Sequence, residues 1–313
     1  MRYERQGLVL GNNSQKFLEK SCVSIIGIGA LGSVVAELLV RAGIGKVKLF
    51  DRDVVEISNL QRQVLFDEKD INVPKVIAAK KKLKKINKDV KLEAYFLHIN
   101  NENISLIKSH LIIDCTDNME IRRLIDEYGF KNKIHIVYGS AIRDKGYVYN
   151  LSKNRKYLNP LLYEKETFET CETSGVLGTL TNFIGSLQAN EAIKVLSKNK
   201  FEDNLLFFDL KNNELVKIKV KKVKKIKKYD NLNEKKIFSY CGTYVINNNF
   251  DFNKLKSRFK KLGIKDFKTG FKYKEITVFK NSILINAKSE KGAKNIYIKY
   301  IGGWVLLNKS RKF

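Results

Sequence analysis

Cys22-Val23-Ser24-Ile25-Ile26-Gly27-Ile28-Gly29-Ala30-Leu31-Gly32 is the stretch on which the reading of the fold turns. The apolar run 22–26 stops at a glycine, as a buried strand does, and the residues from Ala30 to about Ala42 place Leu31, Val34, Val35, Leu38 and Leu39 on one broad helical face. Val47 to Phe50 supplies a second strand, closed by Asp51. Strand, glycine turn, helix and strand make one βαβ unit of a parallel sheet. A glycine pattern alone is a weak signal, but here it stands between a strand and a helix. Gly27 is expected to permit the tight turn, Gly29 a close approach of phosphate to backbone, and Gly32 the contact of helix with strand. The start of the helix, Ala30 and Leu31, then offers N–H groups and the positive end of a dipole to a nucleotide phosphate.

The pattern repeats outward from this unit. Pro74 to Ile86 reads as a helix with Val76, Ala79, Leu83 and Ile86 inward and its lysines in solvent. Strands are expected at 92–97, 111–115 and 134–138, with a helix over about 119–128 between the last two. Residues 146–151 alternate as a strand, and 152–170 form a polar, irregular crossover of a length that points to binding or function. A long helical pattern covers 175–196, followed by closing strands at 205–208 and 215–220. The fold expected is α/β, a Rossmann-like doubly wound, mainly parallel sheet with antiparallel closing strands. A small α+β domain is expected over 243–313, with a helix face at Phe252, Leu255, Phe259 and Leu262, a hairpin at 276–279 and 283–287, and a last helix at Ala293 to Tyr300. The nucleotide-binding domain then occupies 1–242.

The chain has 313 residues, 43% hydrophobic, with 18 Phe and 14 Tyr, a composition that excludes disorder and collagen-like repeats. Sixty Lys and Arg against 33 Asp and Glu give a net charge of +27. These cations are spread along the whole length, so the surface reads as solvated faces with weak attraction for any polyanion. The tract Lys217 to Lys228 reads first as the wet edge of an element, with a polyanion-contacting patch as the other reading. No apolar run is long enough for a membrane span, and the first residues lack the apolar segment of an export signal, so a cytoplasmic protein is expected. Cys22, Cys115, Cys171 and Cys241 show no paired spacing, which argues for reduced thiols. His98, His110 and His135 read as isolated strand-region histidines.

Beyond the glycine turn, Asp51 ends the second strand, where it can hold ribose hydroxyls of ATP or of NAD. Asp53, Asn59, Gln61, Arg62 and Lys75 fall on loops and a helix start at the carboxyl side of the sheet, where open α/β folds bind ligands. A triphosphate needs several cationic and amide donors and a carboxylate for its metal, whereas a dinucleotide needs a second mononucleotide-binding half. Asp117, after the strand ending Ile113-Asp114-Cys115, suits that carboxylate as a Mg²⁺ ligand. The set favours ATP over an NAD-dependent oxidoreductase.

Several segments together resemble the MoeB/ThiF/HesA family, relatives of ubiquitin-activating enzymes. They are Arg2-Tyr3-Glu4-Arg5-Gln6, Gly27 to Ser33, Asp51-Arg52-Asp53-Val54-Val55, Ser58-Asn59-Leu60-Gln61-Arg62-Gln63, Pro74-Lys75, Asp114-Cys115-Thr116-Asp117-Asn118, Gly175-Val176-Leu177-Gly178 and Gly185-Ser186-Leu187-Gln188-Ala189. The resemblance implies ATP- and Mg²⁺-dependent adenylation of the C-terminal glycine of a small ubiquitin-like sulfur carrier ending in Gly-Gly. It implies that Asp51 holds the ribose, that Asn59, Arg62 and Lys75 contact phosphates, that Asp117 with Asn118 serves the metal and nucleotide, and that Arg122 joins the site. Arg5 is expected to reach the site of a partner subunit, hence a homodimer with composite sites. Cys171 matches a cysteine that some relatives use in thioester or sulfur transfer and others carry as a spectator; both roles stay open.

Most relatives hold structural zinc through two CxxC pairs. Here Tyr157 to Phe168 contains no cysteine and only Cys241 remains of the second pair, so no zinc is expected. A strongly basic enzyme suits an acidic carrier. Molybdopterin, thiamine thiazole, tRNA thiolation and protein modification are all open as destinations. The alternatives are a tRNA threonylcarbamoyladenosine dehydratase-like enzyme, an NAD-dependent oxidoreductase and a non-catalytic nucleic-acid-binding module.

Overall fold

The computed structural model describes residues 2–155, 175–220, 237–240, 243–247, 250–267, 270–279, 282–287 and 289–302. The chain divides into two compact units, 1–226 and 227–313. The division falls earlier than the boundary at 242 expected from sequence, and the strand Ile237–Tyr240 pairs within the second unit's sheet.

The first unit runs α1 (Glu4–Leu10), α2 (Asn12–Lys20), β1 (Cys22–Ile26), α3 (Ala30–Arg41), β2 (Lys46–Asp51), α4 (Lys75–Ile86), β3 (Lys91–Phe96), β4 (Leu111–Asp114), α5 (Met119–Lys131), β5 (His135–Ile142), β6 (Lys145–Leu151), α6 (Gly178–Leu196), β7 (Leu205–Asp209) and β8 (Glu214–Ile218). Its sheet order is β3-β2-β1-β4-β5-β6-β7-β8, parallel through β5 and antiparallel from there on. The sequence reading therefore holds for the doubly wound core and the antiparallel closing strands. It did not anticipate α1 and α2, whose apolar residues are too sparse to mark a strongly periodic face.

The strands are buried because helices pack on both faces of a parallel sheet. All four residues of β4 are buried, and Val23, Ile25, Val47 and Leu49 are fully so. Ile26 pairs with both Phe50 and Asp114, which brings the carboxyl ends of β1, β2 and β4 level. The strand order reverses between β1 and β4, the place where open α/β sheets form a ligand crevice.

The segment Gly185 to Ala189 serves packing. A Cβ on Gly185 would lie 2.9 Å from Val34 Cβ and 3.1 Å from Leu31 O, so this glycine lets α6 close on α3. Gln188, fully buried, donates from Nε2 to Asp114 O at 3.0 Å. Gly139 leaves the space that its carboxamide fills.

The second unit holds β9 (Ile237–Tyr240), β10 (Thr243–Asn247), α7 (Phe252–Lys260), β11 (Lys265–Phe267), β12 (Gly270–Tyr273), β13 (Ile276–Phe279), β14 (Ser282–Asn286) and α8 (Glu290–Tyr297). Its antiparallel sheet has the order β11-β12-β13-β14-β10-β9. Leu255 and Phe259 of α7 and Ala293 of α8 share one core with Phe271, Ile276, Val278, Ile283 and Ile285, so both helices cover the same face of that sheet.

At the amino end of β5, His135 Nε2 lies 3.1 Å from Asn150 Oδ1, and Asn150 Nδ2 donates to Glu191 Oε2 at 2.7 Å. Burial brings the imidazole down to about 4, against the pull of Asn150. Below an ordinary histidine value of about 6.5 the unfolded chain takes up a proton that the folded chain refuses. His135 is expected to make stability fall by roughly 1.4 kcal/mol per pH unit between pH 6.5 and 4. Thermal unfolding followed across that range should show a shallower slope for His135→Gln, and an unchanged slope would refute the assignment.

Candidate functional site

Gly27 adopts φ +86° and its N–H donates to Phe50 O at 2.8 Å, so the chain leaves β1 in a turn closed by β2. A Cβ on Gly32 would stand 1.9 Å from Gly27 O, a backbone atom that cannot move aside. Glycine at 32 is therefore the condition for α3 to start directly over the strand end. Gly29 differs, because its Cβ would meet only Gln63 Nε2, at 3.8 Å. The space over it is open to a ligand. No side chain caps the start of α3, which leaves its first-turn N–H groups for an anion.

Asp51 at the end of β2 ties the turn down. Its Oδ2 accepts from Ile28 N at 2.6 Å and its Oδ1 from Asp53 N at 2.7 Å. Each oxygen retains a second lone pair, enough for ribose hydroxyls. Lys75, the first residue of α4, has a buried side chain and brings Nζ to 3.3 Å from Asp53 Oδ2. Burial works against its charge, but Asp53 and Asp51 outweigh it and hold the ammonium above its ordinary value, with Asp117 adding to the effect. Burial raises the Asp51 carboxyl against the pull of Lys75. Burial also pushes Asp53 up, yet Lys75 and Arg52 overcome it and keep that carboxyl below the usual range. Arg52 lies 3.7 Å from Asp53 and 3.3 Å from His98 Nδ1. Burial, with Arg52 beside it, brings His98 down to about 3, a neutral imidazole that accepts from the guanidinium.

The structure thus brings Gly27, Gly29, Ala30, Leu31, Gly32, Asp51, Asp53, Lys75 and Asp117 to one end of the sheet. Asp117 is exposed on the loop after β4. The loop's next residue, Asn118, caps α5 by accepting from Glu120 N and Ile121 N, and its buried Nδ2 has no hydrogen-bond partner. Gln63 is buried beside Gly29 with Oε1 likewise unpartnered. Two orphaned polar atoms next to an open cradle suit a polar ligand. Gln63 and His98 carried no assigned role in the sequence reading. Gln63 offered only its place after Arg62, and His98 no local signal.

Other expected residues are used differently. Arg122 is buried, and its guanidinium donates to Thr116 O, Tyr138 Oη and Gly139 O. Its expected place in the nucleotide site gives way to a bracing role, holding the loop that presents Asp117 and Asn118. Asn59 is engaged in its own turn, accepting from Glu56 N at 3.2 Å and donating to Ser58 Oγ at 3.3 Å. Arg62 donates to Ser58 O at 2.8 Å. Its backbone lies under Gly178, whose Cβ would meet Gln61 O at 2.7 Å, so the start of α6 packs on the Arg62 turn.

Arg5 stands apart from this set in its own chain. Tyr3 packs on Gly43 and its hydroxyl accepts from Asn87 Nδ2, Gln6 donates to Ala42 O, and Arg2 donates to Ile86 O. These contacts fasten α1 to the far ends of α3 and α4, about 18 Å of helix away from the glycine turn. Cys171 and Cys241, and with them the thiol and zinc expectations, lie outside the described residues. The three histidines have protein partners: Arg52 for His98, Cys22 N for His110 and Asn150 for His135.

Comparison with known proteins identifies the family. The ThiF family model matches residues 3–230. The sulfur carrier protein ThiS adenylyltransferase of Bacillus subtilis is 36% identical over 231 residues, covering 71% of this chain and 69% of that protein. The molybdopterin-synthase adenylyltransferase of Haemophilus influenzae is 35% identical over 206 residues, covering 63% of this chain and 84% of that one. A solved structure of E. coli MccB with ATP shares the fold at 20% identity, with a TM-score of 0.62 over 69% of this chain and 70% of that one. The glycine turn, the Asp51 to Lys75 cluster and the Asp117 loop thus lie in a chain that belongs to the ThiF family.

Proposed function

We propose that this protein adenylates the C-terminal glycine of a small ubiquitin-like sulfur carrier, using ATP and Mg²⁺ and releasing pyrophosphate. The observation that carries this reading is the buried Lys75 ammonium held among Asp51, Asp53 and Asp117 at the mouth of the open Gly29 cradle. A dinucleotide would need a second mononucleotide-binding half. Among the described residues the sheet instead turns antiparallel after β5.

In the reaction a carboxylate oxygen of the carrier forms a bond to the α-phosphorus as the bond to pyrophosphate breaks, giving a glycyl adenylate. Negative charge accumulates on the transferring group. Lys75, Arg62 and the start of α3 are fixed before the reaction and stabilise that charge without reorganising. Asp51 takes the ribose hydroxyls, and the orphaned Nδ2 of Asn118 and Oε1 of Gln63 gain partners from the bound nucleotide. Mg²⁺ would neutralise phosphate charge from Asp117. One carboxylate suffices, since magnesium takes most of its other ligands from phosphates and water. An open groove of about 710 Å³, lined by Arg143, Lys145, Leu177, Asp209 and Lys211 among others, adjoins the α6 start that packs on Arg62, and we assign the carrier's flexible tail to it.

The same reading includes a homodimer. Arg5, Leu8 and Val9 share one face of α1, a helix with no buried residue, and Leu8 and Val9 are 84% and 85% exposed. An anchored helix that turns apolar residues outward suits a second copy, and only another copy's site is available to Arg5.

Three measurements test these assignments. Pyrophosphate exchange with ATP should require one carrier's terminal glycine, and Arg62→Ala or Lys75→Ala should lower it on the order of 100-fold or more; exchange without any carrier would refute the substrate. Gly29→Ala should fold within about 1 kcal/mol of the parent yet bind ATP at least tenfold more weakly, whereas Gly32→Ala should lose about 3 kcal/mol of stability. Mixing Arg5→Ala chains with Lys75→Ala chains should restore exchange above that of either variant alone, and no restoration would rule out a shared site.

A further inference from the structure

The whole-chain charge of +27 conceals an uneven distribution. Residues 1–226 hold thirty-nine Lys and Arg against twenty-seven Asp and Glu, while residues 227–313 hold twenty-one against six. More than half of the net charge therefore lies in little more than a quarter of the chain. Between 237 and 302 the ratio is fourteen to four. Even if every carboxylate there neutralised one cation, ten would remain.

Their placement is ordered by the fold. The helices α7 and α8 turn Leu255, Phe259 and Ala293 onto the sheet, which leaves the opposite faces in solvent. On α7 that outer face carries Lys254, Arg258 and the C-cap Lys261, with Asn253 and Ser257 between them. On α8 it carries Lys291 and Lys294 with Asn295. Two of the four acids, Asp251 and Glu290, sit at the helix starts, where Asp251 caps α7. A third, Asp266, pairs with Lys256 at 2.7 Å. A separate ridge is formed where the β12–β13 turn meets the chain after α8. Tyr273 and Tyr300 meet edge to face there at 5.7 Å. Lys274 lies 5.5 Å and 5.9 Å from the two ring centroids, and Lys299 lies 5.2 Å from that of Tyr300.

We infer that the second unit is a nucleic-acid-binding module whose α7–α8 face tracks a phosphodiester backbone. Cations in rows with neutral amides and hydroxyls between them suit successive phosphates, and the Tyr273–Tyr300 pair, partly buried against the unit's core, places Lys274 and Lys299 beside it as further cations. An acidic protein fits this face less well, because a stable protein interface centres on buried aromatic or apolar anchors. Along α7, α8 and the turns that end them, Leu262 and Ile298 are the large apolar residues that are half exposed or more. The inference stands on the second unit alone and does not depend on the adenylation reading.

Full-length protein should bind bulk tRNA with an affinity that falls steeply as salt rises. Replacing Lys254, Arg258 and Lys261 together with Glu should weaken binding at least tenfold and reduce the salt slope by about three. The same change of charge on the first unit, at Lys80, Lys81 and Lys85 of α4, should weaken it less than threefold. Carrier-dependent pyrophosphate exchange should be unchanged in the α7 variant, which separates this result from that of the catalytic reading. Lys291→Gln with Lys294→Gln gives a milder loss in the same direction and guards against misfolding of the triple variant. Single-stranded and duplex DNA run beside tRNA identify which backbone is preferred. Equal losses from the α7 and α4 variants, or displacement of tRNA by polyglutamate as readily as by unlabelled tRNA, would overturn the inference.

Discussion

The approach of Gly32 to the Gly27 carbonyl is the contact on which the rest of the first unit depends. It allows α3 to begin over the end of β1 with no side chain between them, so the helix dipole and its uncapped N–H groups face the crevice where the strand order reverses. The level carboxyl ends of β1, β2 and β4 then bring Asp51 and the Asp117 loop to the same rim. Asp51 returns the favour mechanically, since its carboxylate holds Ile28 N and keeps the turn in place. Binding surface and packing contact are two sides of one short segment.

Electrostatics at that rim follow from burial. A lysine taken out of water tends to lose its proton, and Lys75 keeps it because three carboxylates surround it. The same carboxylates would repel a triphosphate if Lys75 did not offset them. Arg52 adds a second cation against Asp53 and is held in turn by a neutral His98. The cluster thus sets two cations, Lys75 and Arg52, against Asp51, Asp53 and Asp117, with the ammonium buried and Asp53 and Asp117 its more exposed members.

Much of this was legible in the sequence. The βαβ unit, the repeated strand and helix alternation and the antiparallel closure all follow from apolar periodicity and glycine placement, and Asp51, Lys75 and Asp117 follow from their positions after strands or at a helix start. What was not legible depends on distant partners. Arg122 stands four residues after Asn118 and looks like a phosphate ligand, but Thr116 O, Tyr138 and Gly139 O take its guanidinium, two of them from another strand. The two units divide earlier than the boundary read from sequence, since the lysine-rich stretch before it shows no break in composition, whereas the pairing of β9 with β10 is a tertiary fact. The charge asymmetry was present in the letters but invisible until the units were separated.

The segments that mark the family are therefore mixed in kind. Gly185 and Gln188 recur beside the chemical residues in sequence, yet one spaces α6 from α3 and the other bridges β4 to α6. Tyr3 and Gln6 fasten α1, and that attachment gives Arg5 the fixed position that the proposed composite site needs. A short exposed helix could not hold an arginine in place by itself, because seven residues are too few for a stable isolated helix. The anchors are thus as necessary to the proposed composite site as the cation they present, and the signature joins both in five residues.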